Sequence, residues 1–202
     1  MPEQSISNET LDPSTTTGDV ALGVTKVEDI ATEAVLDADG VGIRAPSHDE
    51  GALLWEIARE AGNLDLNSPY AYMMTCRNFQ NTCAIAEIYG MPAGFVMAHR
   101  PASRPHVLFI WQIAVLPGFR GFGIAKRLLD GLLDRDVNAG VRTIEATVSP
   151  SNTASAALFT AFANDRNATL DVCTGFTADD FPEGQGHEAE QLFTISPIAN
   201  IS

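Results

Sequence analysis

The segment VLPGFRGFGIAKRLL, from Val115 to Leu129, decides the fold of this chain. It follows an apolar run over 107–115 and opens directly into an amphipathic helical pattern. The first N–H groups of a helix lack intrahelical partners, and the helix dipole favours negative charge there. Gly121 and Gly123 let a ligand approach the backbone closely, and Arg120 adds a fixed positive charge. The order of strand, glycine-rich loop and helix N-terminus therefore predicts an anion cradle for the diphosphate of a nucleotide cofactor.

The cradle lies within a series of predicted strands and helices. Alternating and β-branched patterns predict strands near 41–44, 83–88, 93–98, 107–115, 143–148, 168–174 and 189–195. Helical patterns run over about 47–62, 124–139 and 151–163, with loop and a short helix within 63–80. This order predicts a mixed α/β fold: a central mixed sheet of about six or seven strands with about four flanking helices.

Composition limits the partners of the chain. Its 202 residues carry 26 acidic and 12 basic side chains, and the net charge of −14 argues against nucleic acid or an anionic membrane as partner. No apolar run approaches the roughly 18–20 residues that span a bilayer. The N-terminus has no signal-peptide pattern, and the three cysteines form no CxxC pair. We therefore predict a cytoplasmic protein with reduced cysteines and small-molecule partners.

The negative charge is concentrated at the N-terminus. Residues 1–39 hold nine acidic residues and one basic residue, Lys26, with little hydrophobic periodicity. We predict an acidic leader over 1–39, disordered or loosely packed, and one folded domain over 40–202.

The glycine-rich loop resembles that of the GCN5-related N-acetyltransferase (GNAT) family. The family pattern Gln/Arg-x-x-Gly-x-Gly/Ala is matched by Arg120, Gly123 and Ala125, and the helix start SPSN at 149–152 matches as well. The resemblance covers about 41–196 and implies the acyl-CoA N-acyltransferase fold, acetyl-CoA as co-substrate, no metal and a homodimer. It also implies that the CoA pyrophosphate binds the amides of Arg120, Gly121, Phe122, Gly123, Ile124 and Ala125. The alternative for this loop is an ordinary turn that starts a helix.

Three other stretches resemble one branch of that family. These are GNLDLNSPYAY at 62–72, VLFIWQIAV at 107–115 and EQLF at 190–193. Members of that branch acetylate the γ-amine of L-2,4-diaminobutyrate, giving N4-acetyl-L-2,4-diaminobutyrate in ectoine biosynthesis. The resemblance implies the same substrate here. An acetyltransferase for another small amine, a non-catalytic acyl-CoA sensor and a scaffold that binds through its acidic leader remain as alternatives.

The resemblance also assigns cofactor contacts outside the loop. It implies that the strand before the loop splays from its neighbour, so that Ile113 and Val115 offer backbone groups to pantetheine. The Val115 N–H is then a candidate donor to the thioester carbonyl, although an ordinary ladder hydrogen bond is equally compatible with these residues. Asn152 suits a helix N-cap, a contact with the co-substrate, or both.

The acceptor amine needs a group that takes its proton. An alkyl amine has a pKa of ~10.4, so its neutral form costs about 4–5 kcal/mol at pH 7. Asp65 and Glu190 are the candidate carboxylates for binding the amine or accepting the proton, with solvated surface acids as the alternative. Tyr70 is a candidate substrate contact and catalytic group, or else a loop anchor. His187 is a candidate contact with CoA or substrate, or a proton relay, or else an exposed loop histidine.

An aromatic wall and a general acid complete the predicted site. Trp111 lies four residues before Val115, so regular alternation places both on one face of the strand, where Trp111 can stack over an ammonium group or simply fill the core. Many GNAT members carry a tyrosine acid at the position of Phe159, which has no proton to donate. The acid is therefore left open between Tyr70, Tyr72 and water.

Overall fold

A computed structural model describes residues 40–184 and 186–198. Seven strands form one mixed sheet in the order β1-β2-β3-β4-β5-β7-β6, in which only β4 and β5 are parallel. The strands are β1 Val41–Arg44, β2 Cys83–Ile88, β3 Met91–His99, β4 Val107–Val115, β5 Thr143–Val148, β6 Thr169–Phe176 and β7 Glu190–Ser196. The helices are α1 Gly51–Ala61, α2 Pro69–Phe79, α3 Ile124–Leu133 and α4 Thr153–Asp165. The predicted mixed α/β fold is confirmed, whereas the predicted leader over 1–39 lies outside the described residues.

Helices cover both faces of the sheet. Leu128 and Leu132 of α3 pack with Phe162 of α4 in one apolar core, and this side is called the α3/α4 face below. Leu54 of α1 and Cys76 of α2 belong to a second core on the opposite side, the α1/α2 face. Each helix buries its apolar stripe against the sheet, so the fold has three layers. Within the described residues, no helix is long and apolar enough to cross a membrane.

The strand β4 contains a β-bulge at Trp111. Across the β3–β4 ladder, Met97 pairs with Gln112 and Ala98 pairs with Ile110, so Trp111 has no partner in β3. An extra residue in one strand reverses the alternation of side chains beyond it. The bulge therefore divides β4 into two halves of opposite phase.

This change of phase makes one prediction wrong. Ile110 and Val115 both pack on the α3/α4 face although they are five positions apart, a spacing that puts side chains of a regular strand on opposite faces. Trp111 instead lies beside Thr75 and Phe79 at α2. Trp111 and Val115 therefore lie on opposite faces of the strand, because the bulge intervenes between them.

The parallel strands β4 and β5 pair only over part of their length. Val107–Ile110 pair with Thr143–Ala146, and the rest of β4 continues without a partner in β5. On its other edge, β5 pairs with β7 from Ile144 to Val148. The two strands thus diverge at their carboxyl ends, as the family resemblance implies, and leave a cleft there.

Two helices differ in extent from the sequence-based prediction. α3 ends at Leu133 instead of near 139, and the fully buried Asn138 follows in a short 3₁₀ turn. Asn138 Nδ2 donates to the Leu132 carbonyl at 2.8 Å, which satisfies an orphan group at the helix end. α2 is a full helix of 11 residues where only a short one was expected, with Pro69 at its first position.

Candidate active site

The predicted anion cradle lies at the N-terminus of α3. Gly121 and Gly123 have φ angles of +84° and +72°, which strongly favour glycine. A Cβ atom added at either position would meet no atom within 4 Å, so both glycines border open space. Gly123 is the N-cap and, having no side chain, makes no capping hydrogen bond to the first-turn amides. These amides therefore remain available to an external anion.

A cavity of about 310 Å³ adjoins the cradle. Its walls combine the end of β4, the loop and the first turns of α3 and α4; they include Ile113, Val115, Gly121, Gly123, Ile124, Ala125, Lys126, Ala154, Ser155 and Leu158. The lining also includes Asn63, Phe119 and Arg120, and most of the other side chains are apolar. This arrangement fits a diphosphate joined to an extended, weakly polar chain, as in coenzyme A. Phe122 of the loop is 67% exposed.

Ile113 and Val115, whose backbone groups are predicted to contact pantetheine, lie in the part of β4 that has no partner in β5. The Leu116 N–H donates to the Ala93 carbonyl across the ladder with β3. Because amides alternate in direction along a strand, those of Ile113 and Val115 face the cleft between β4 and β5. The Val115 carbonyl already accepts from Arg120 Nε at 3.1 Å, which leaves its N–H as the group available to a ligand.

The Arg120 guanidinium binds neighbouring parts of the chain. Besides Val115, it reaches the Ala61 carbonyl at 2.6 Å and Asn63 Oδ1 at 3.4 Å, both through one terminal nitrogen. Its side chain therefore fastens the connection between α1 and α2 to the end of β4. The predicted contact between Arg120 and the diphosphate can come from its main-chain amide in this arrangement.

Asn152 is the N-cap of α4. Its Oδ1 accepts from the Ser155 N–H at 3.1 Å, as the capping interpretation predicts. Ala154 and Ser155 of the same turn line the cradle cavity. Contact between Asn152 and the co-substrate stays a prediction.

Asp65 lies beside His187, which is distant from it in sequence, and both residues act electrostatically on Glu190. His187 Nε2 lies 3.5 Å from Asp65 Oδ2, and the His187 ring stacks on Phe181 with centroids 4.2 Å apart. Burial raises the pKa of Glu190, with His187 opposing this shift and the charges of Asp65 and Glu188 adding to it. A raised pKa makes a carboxylate a stronger base, so Glu190 is better suited to accept a proton than an ordinary glutamate.

The two predicted aromatic contacts occupy different surroundings. Trp111 is 44% exposed and borders a second cavity of about 350 Å³ with residues of α2, β3 and β4: Thr75, Phe79, Ala98, His99 and Phe109. Tyr70 is 67% exposed in the first turn of α2. Phe159 is buried against Phe193, so its position in α4 belongs to the core.

The buried Gln112, which was not predicted as a site residue, contacts the candidate acid Tyr72. Tyr72 Oη donates to Gln112 Oε1 at 2.8 Å, and Gln112 Nε2 donates to the Asp65 carbonyl at 2.8 Å. Burial raises the pKa of Tyr72, with hydrogen bonds to Asn67 and Gln112 acting against the shift. No sequence signal indicated this pairing, because Gln112 reaches α2 only through the bulge in β4.

A sequence model of the acetyltransferase (GNAT) family matches residues 52–163. The chain belongs to this family. Among its relatives is L-2,4-diaminobutyric acid acetyltransferase of Streptomyces avermitilis, 41% identical over 85% of this chain and 97% of that protein. The enzyme of the same name from Streptomyces coelicolor is 43% identical over 78% of this chain and 93% of its own. The family membership inferred from the loop is thus confirmed.

Solved structures of family members agree with the fold. Diaminobutyrate acetyltransferase EctA from Paenibacillus lautus, in complex with L-2,4-diaminobutyric acid and coenzyme A, is 45% identical to this chain, with a TM-score of 0.75. The match covers 80% of this chain and 98% of that one. The ribosomal-protein-S18-alanine N-acetyltransferase from Escherichia coli, 19% identical with a TM-score of 0.60, shares the fold over 80% of this chain and 96% of its own. Among the described residues of our chain, no group of three or more His, Cys, Asp or Glu side chains could hold a metal ion.

Proposed function

We propose that this chain transfers the acetyl group of acetyl-CoA to the γ-amine of L-2,4-diaminobutyrate. The product is N4-acetyl-L-2,4-diaminobutyrate, an intermediate of ectoine biosynthesis. Asp65, His187 and Glu190 are called the acid–histidine cluster below. One observation carries the proposal: the anion cradle and this cluster flank the divergent ends of β4 and β5. Asp65 is hydrogen-bonded to β4, and Glu190 begins β7. A chain 45% identical to ours binds both diaminobutyrate and coenzyme A.

The cradle and the free edge of β4 hold the co-substrate. Amides at the start of α3 bind the pyrophosphate, and the aliphatic cavity takes the pantetheine chain toward Ile113 and Val115. The Val115 N–H polarises the thioester carbonyl, because it faces the cleft and its own carbonyl is engaged by Arg120. A thioester supplies an electrophilic carbonyl and a thiolate leaving group.

The acid–histidine cluster binds the amine and removes its proton. Asp65 and Glu190 attract the ammonium form, and Trp111 and Tyr70 flank the substrate. Glu190 accepts the proton because its pKa is raised by burial, which reduces the mismatch with the amine. The amine nitrogen then forms the new N–C bond while the C–S bond breaks. The acylated nitrogen loses its second proton as the amide forms, and the thiolate gains a proton by way of water or Tyr70, because the Tyr72 hydroxyl is committed to Gln112.

A substrate panel tests the proposal. Purified full-length protein is given acetyl-CoA with 2,4-diaminobutyrate, ornithine or lysine, thiol release is followed, and NMR locates the acetyl group. We expect transfer to N4 of diaminobutyrate with a much higher kcat/KM than for either longer diamine. Equal or greater kcat/KM for another amine would favour the alternative acetyltransferase, and acetyl-CoA binding without thiol release would favour the sensor.

We further propose a catalytic domain over 40–202, a homodimer and a cytoplasmic location. Exposed apolar side chains on α2, including Met73, Met74 and Phe79, supply a surface suited to a second copy. Free cysteines are compatible with a reducing compartment. Light scattering gives the mass in solution, cell fractionation gives the location, and a 40–202 fragment with unchanged kcat/KM supports a dispensable leader.

A further inference from the structure

A buried glutamine, Gln112, connects residues 62–68, called the acceptor-site loop here, to the sheet. Gln112 is 7% exposed and follows the bulge residue Trp111. It donates to the Asp65 carbonyl and accepts from the Tyr72 hydroxyl, each at 2.8 Å, and Tyr72 has no exposed surface. A continuous hydrogen-bonded path therefore runs from α2 through β4 to the main chain of Asp65.

Asp65 depends on this path for its position. Residues 62–68, which contain it, form neither helix nor strand. The Asp65 side chain is 87% exposed, and its Oδ2 lies 3.5 Å from Nε2 of His187, which belongs to another connecting segment. Arg120 fastens the beginning of the connection at Ala61 and Asn63, and Gln112 fastens it at Asp65 itself.

The bulge in β4 makes the contact with Asp65 available. In a regular strand, Gln112 would share a face with Ile110, which packs in the α3/α4 core. The unpaired Trp111 reverses the phase, so Gln112 lies on the same side as Tyr72 and Ala114 of the α1/α2 core. One backbone irregularity thus places an amide under the acceptor-site loop.

We propose that Gln112 is a positioning residue for acetyl transfer, holding Asp65 where its carboxylate meets the acceptor amine. This inference rests on the proposed function of Asp65. The chemistry suits an amide, since one planar group must accept from a hydroxyl and donate to a carbonyl. A carboxylate at this position keeps the acceptor and loses the donor, and an apolar chain of similar length loses both.

Two substitutions of Gln112 test the proposal. Gln112→Met should lower kcat/KM for diaminobutyrate by about 10- to 100-fold, the usual effect of misplacing a reacting group. Gln112→Glu should act in the same direction, because it cannot donate to the Asp65 carbonyl. The Kd for acetyl-CoA, measured by calorimetry, should change less than about twofold, since the cradle lies on the other face. Unchanged kcat/KM in both folded variants would overturn the proposal.

A matched control separates positioning from general stability. Thr82 is also buried and donates from Oγ1 to a main-chain oxygen, that of Ala98, at 2.6 Å, just beyond the C-terminal end of α2. Thr82→Val should lower Tm and leave kcat/KM for diaminobutyrate unchanged. An equal loss of kcat/KM in Thr82→Val would show that Gln112 acts only through stability.

A double-mutant cycle with Asp65→Asn decides the route of action. If Gln112 works through Asp65, adding Gln112→Met to Asp65→Asn should lower kcat/KM less than about threefold further. Fully multiplicative losses would overturn the proposal. An Asp65→Asn enzyme with wild-type kinetics would remove its basis, whereas a wild-type protein without acetyl transfer would refute the proposed function itself.

Tyr72→Phe supplies a milder test should the Gln112 variants fail to fold. It removes the hydroxyl that orients the amide while the Nε2 contact with Asp65 can persist. We expect kcat/KM for diaminobutyrate to fall about 3- to 10-fold. In a protein that already carries Asp65→Asn, Tyr72→Phe should cause little further loss. Full activity in Tyr72→Phe would overturn the path through Gln112.

Discussion

His187 Nε2 and Asp65 Oδ2 lie 3.5 Å apart, and this contact joins the α1–α2 connection to the segment that precedes β7. Glu190 follows three residues later, at the start of β7. Its pKa is raised by burial, lowered by the charge of His187, and raised further by the charges of Asp65 and Glu188. The charge state of Glu190 therefore depends on the charges of its neighbours.

Glu190 should give the pH profile an acidic limb. Because the base must be deprotonated, kcat/KM for diaminobutyrate should fall as the pH decreases through the pKa of Glu190. The raised pKa places this limb above the pH expected for an exposed glutamate, ~4.3. Glu190→Gln should remove the limb and lower kcat by about 10²–10⁴-fold, the usual range for loss of a general base.

A neighbouring acid supplies the control for Glu190. Glu183 is exposed in the same connection between β6 and β7. Glu183→Gln removes the same charge and should leave both kcat and the pH profile unchanged. Retention of the acidic limb in Glu190→Gln would assign the proton transfer to another group.

A carboxylate in the cradle should weaken the binding of acetyl-CoA. Gly123→Asp places negative charge against the diphosphate at the N-terminus of α3. We expect Kd to rise by about 10- to 100-fold, which corresponds to about 1.4–2.8 kcal/mol. Calorimetry with acetyl-CoA measures the change directly.

The strain of the new side chain can be controlled separately. Gly90, in the β2–β3 hairpin, also has a positive φ, +78°, and open space around its Cβ position. Gly90→Asp should lower Tm to a similar extent and leave Kd unchanged. Equal Kd values for Gly123→Asp and wild type would contradict the cradle.

Replacing Trp111 should weaken the binding of diaminobutyrate more than the binding of acetyl-CoA. Loss of a cation–π contact worth about 0.5–2 kcal/mol predicts that Trp111→Ala raises KM for diaminobutyrate by about 2- to 30-fold. The Kd for acetyl-CoA should stay nearly constant, because Trp111 lies on the face opposite Val115. Steady-state kinetics and calorimetry check the two parts.

The other tryptophan provides a comparison for Trp111. Trp55 packs against the α1/α2 core and stacks with Arg59. Trp55→Ala should lower Tm without raising KM for diaminobutyrate. If both alanine variants change KM equally, Trp111 contributes through packing alone.

An ion-pair cluster near β1 should make stability sensitive to acid. The Arg44 side chain is 8% exposed and lies 2.7 Å from both Glu50 Oε1 and Glu87 Oε1. Burial alone raises the pKa of Glu50, but hydrogen bonds from Arg44 and the Ser47 N–H hold it below its ordinary value. The stabilisation from Glu50 is therefore present above the unfolded-state pKa and is lost as the pH falls through the lower folded-state value.

Arg44→Met tests this cluster. Leaving two partly buried carboxylates without their cation should cost about 3 kcal/mol in the free energy of unfolding at pH 7. The loss should shrink toward pH 4, where protonation relieves the unpaired acids. Urea unfolding at both pH values measures the difference.

An exposed ion pair serves as the reference. Arg59 and Glu56 pair on α1 with about half of each side chain exposed, so Arg59→Met should cost less than about 1 kcal/mol at either pH. Equal losses in the two variants would contradict a special role for the buried cluster.

Local patterns predicted most of the architecture. The run over 107–115 and the stripe of Leu128 and Leu132 have the periods of a strand and a helix, and both elements begin where expected. The predicted end of α3, near 139, was wrong. The helix ends at Leu133 because the buried Asn138 caps it there, and this role depends on burial. The predicted face of Trp111 was wrong because the bulge depends on pairing with β3, which the residue types in β4 alone do not indicate.

The predicted site divides in the same way. The glycines of the cradle are neighbours in sequence, and their backbone requirements are local, so the loop was recognisable from 120–125 alone. Asp65, His187 and Glu190 were each proposed from resemblance, whereas their proximity is a property of the folded chain. Gln112 carried no signal, since an isolated glutamine in an apolar strand looks like any polar side chain.

The amino-acid sequence by itself determined the order of helices and strands, the glycine loop that begins α3 and the family of the chain, because these follow from contiguous residues. Tertiary structure alone decided the phase of β4, the divergence from β5 and the meeting of Asp65 with His187 and Gln112. The physical reason is that hydrogen-bond register and burial arise between distant segments, and only those set the direction of a side chain and the pKa of Glu190.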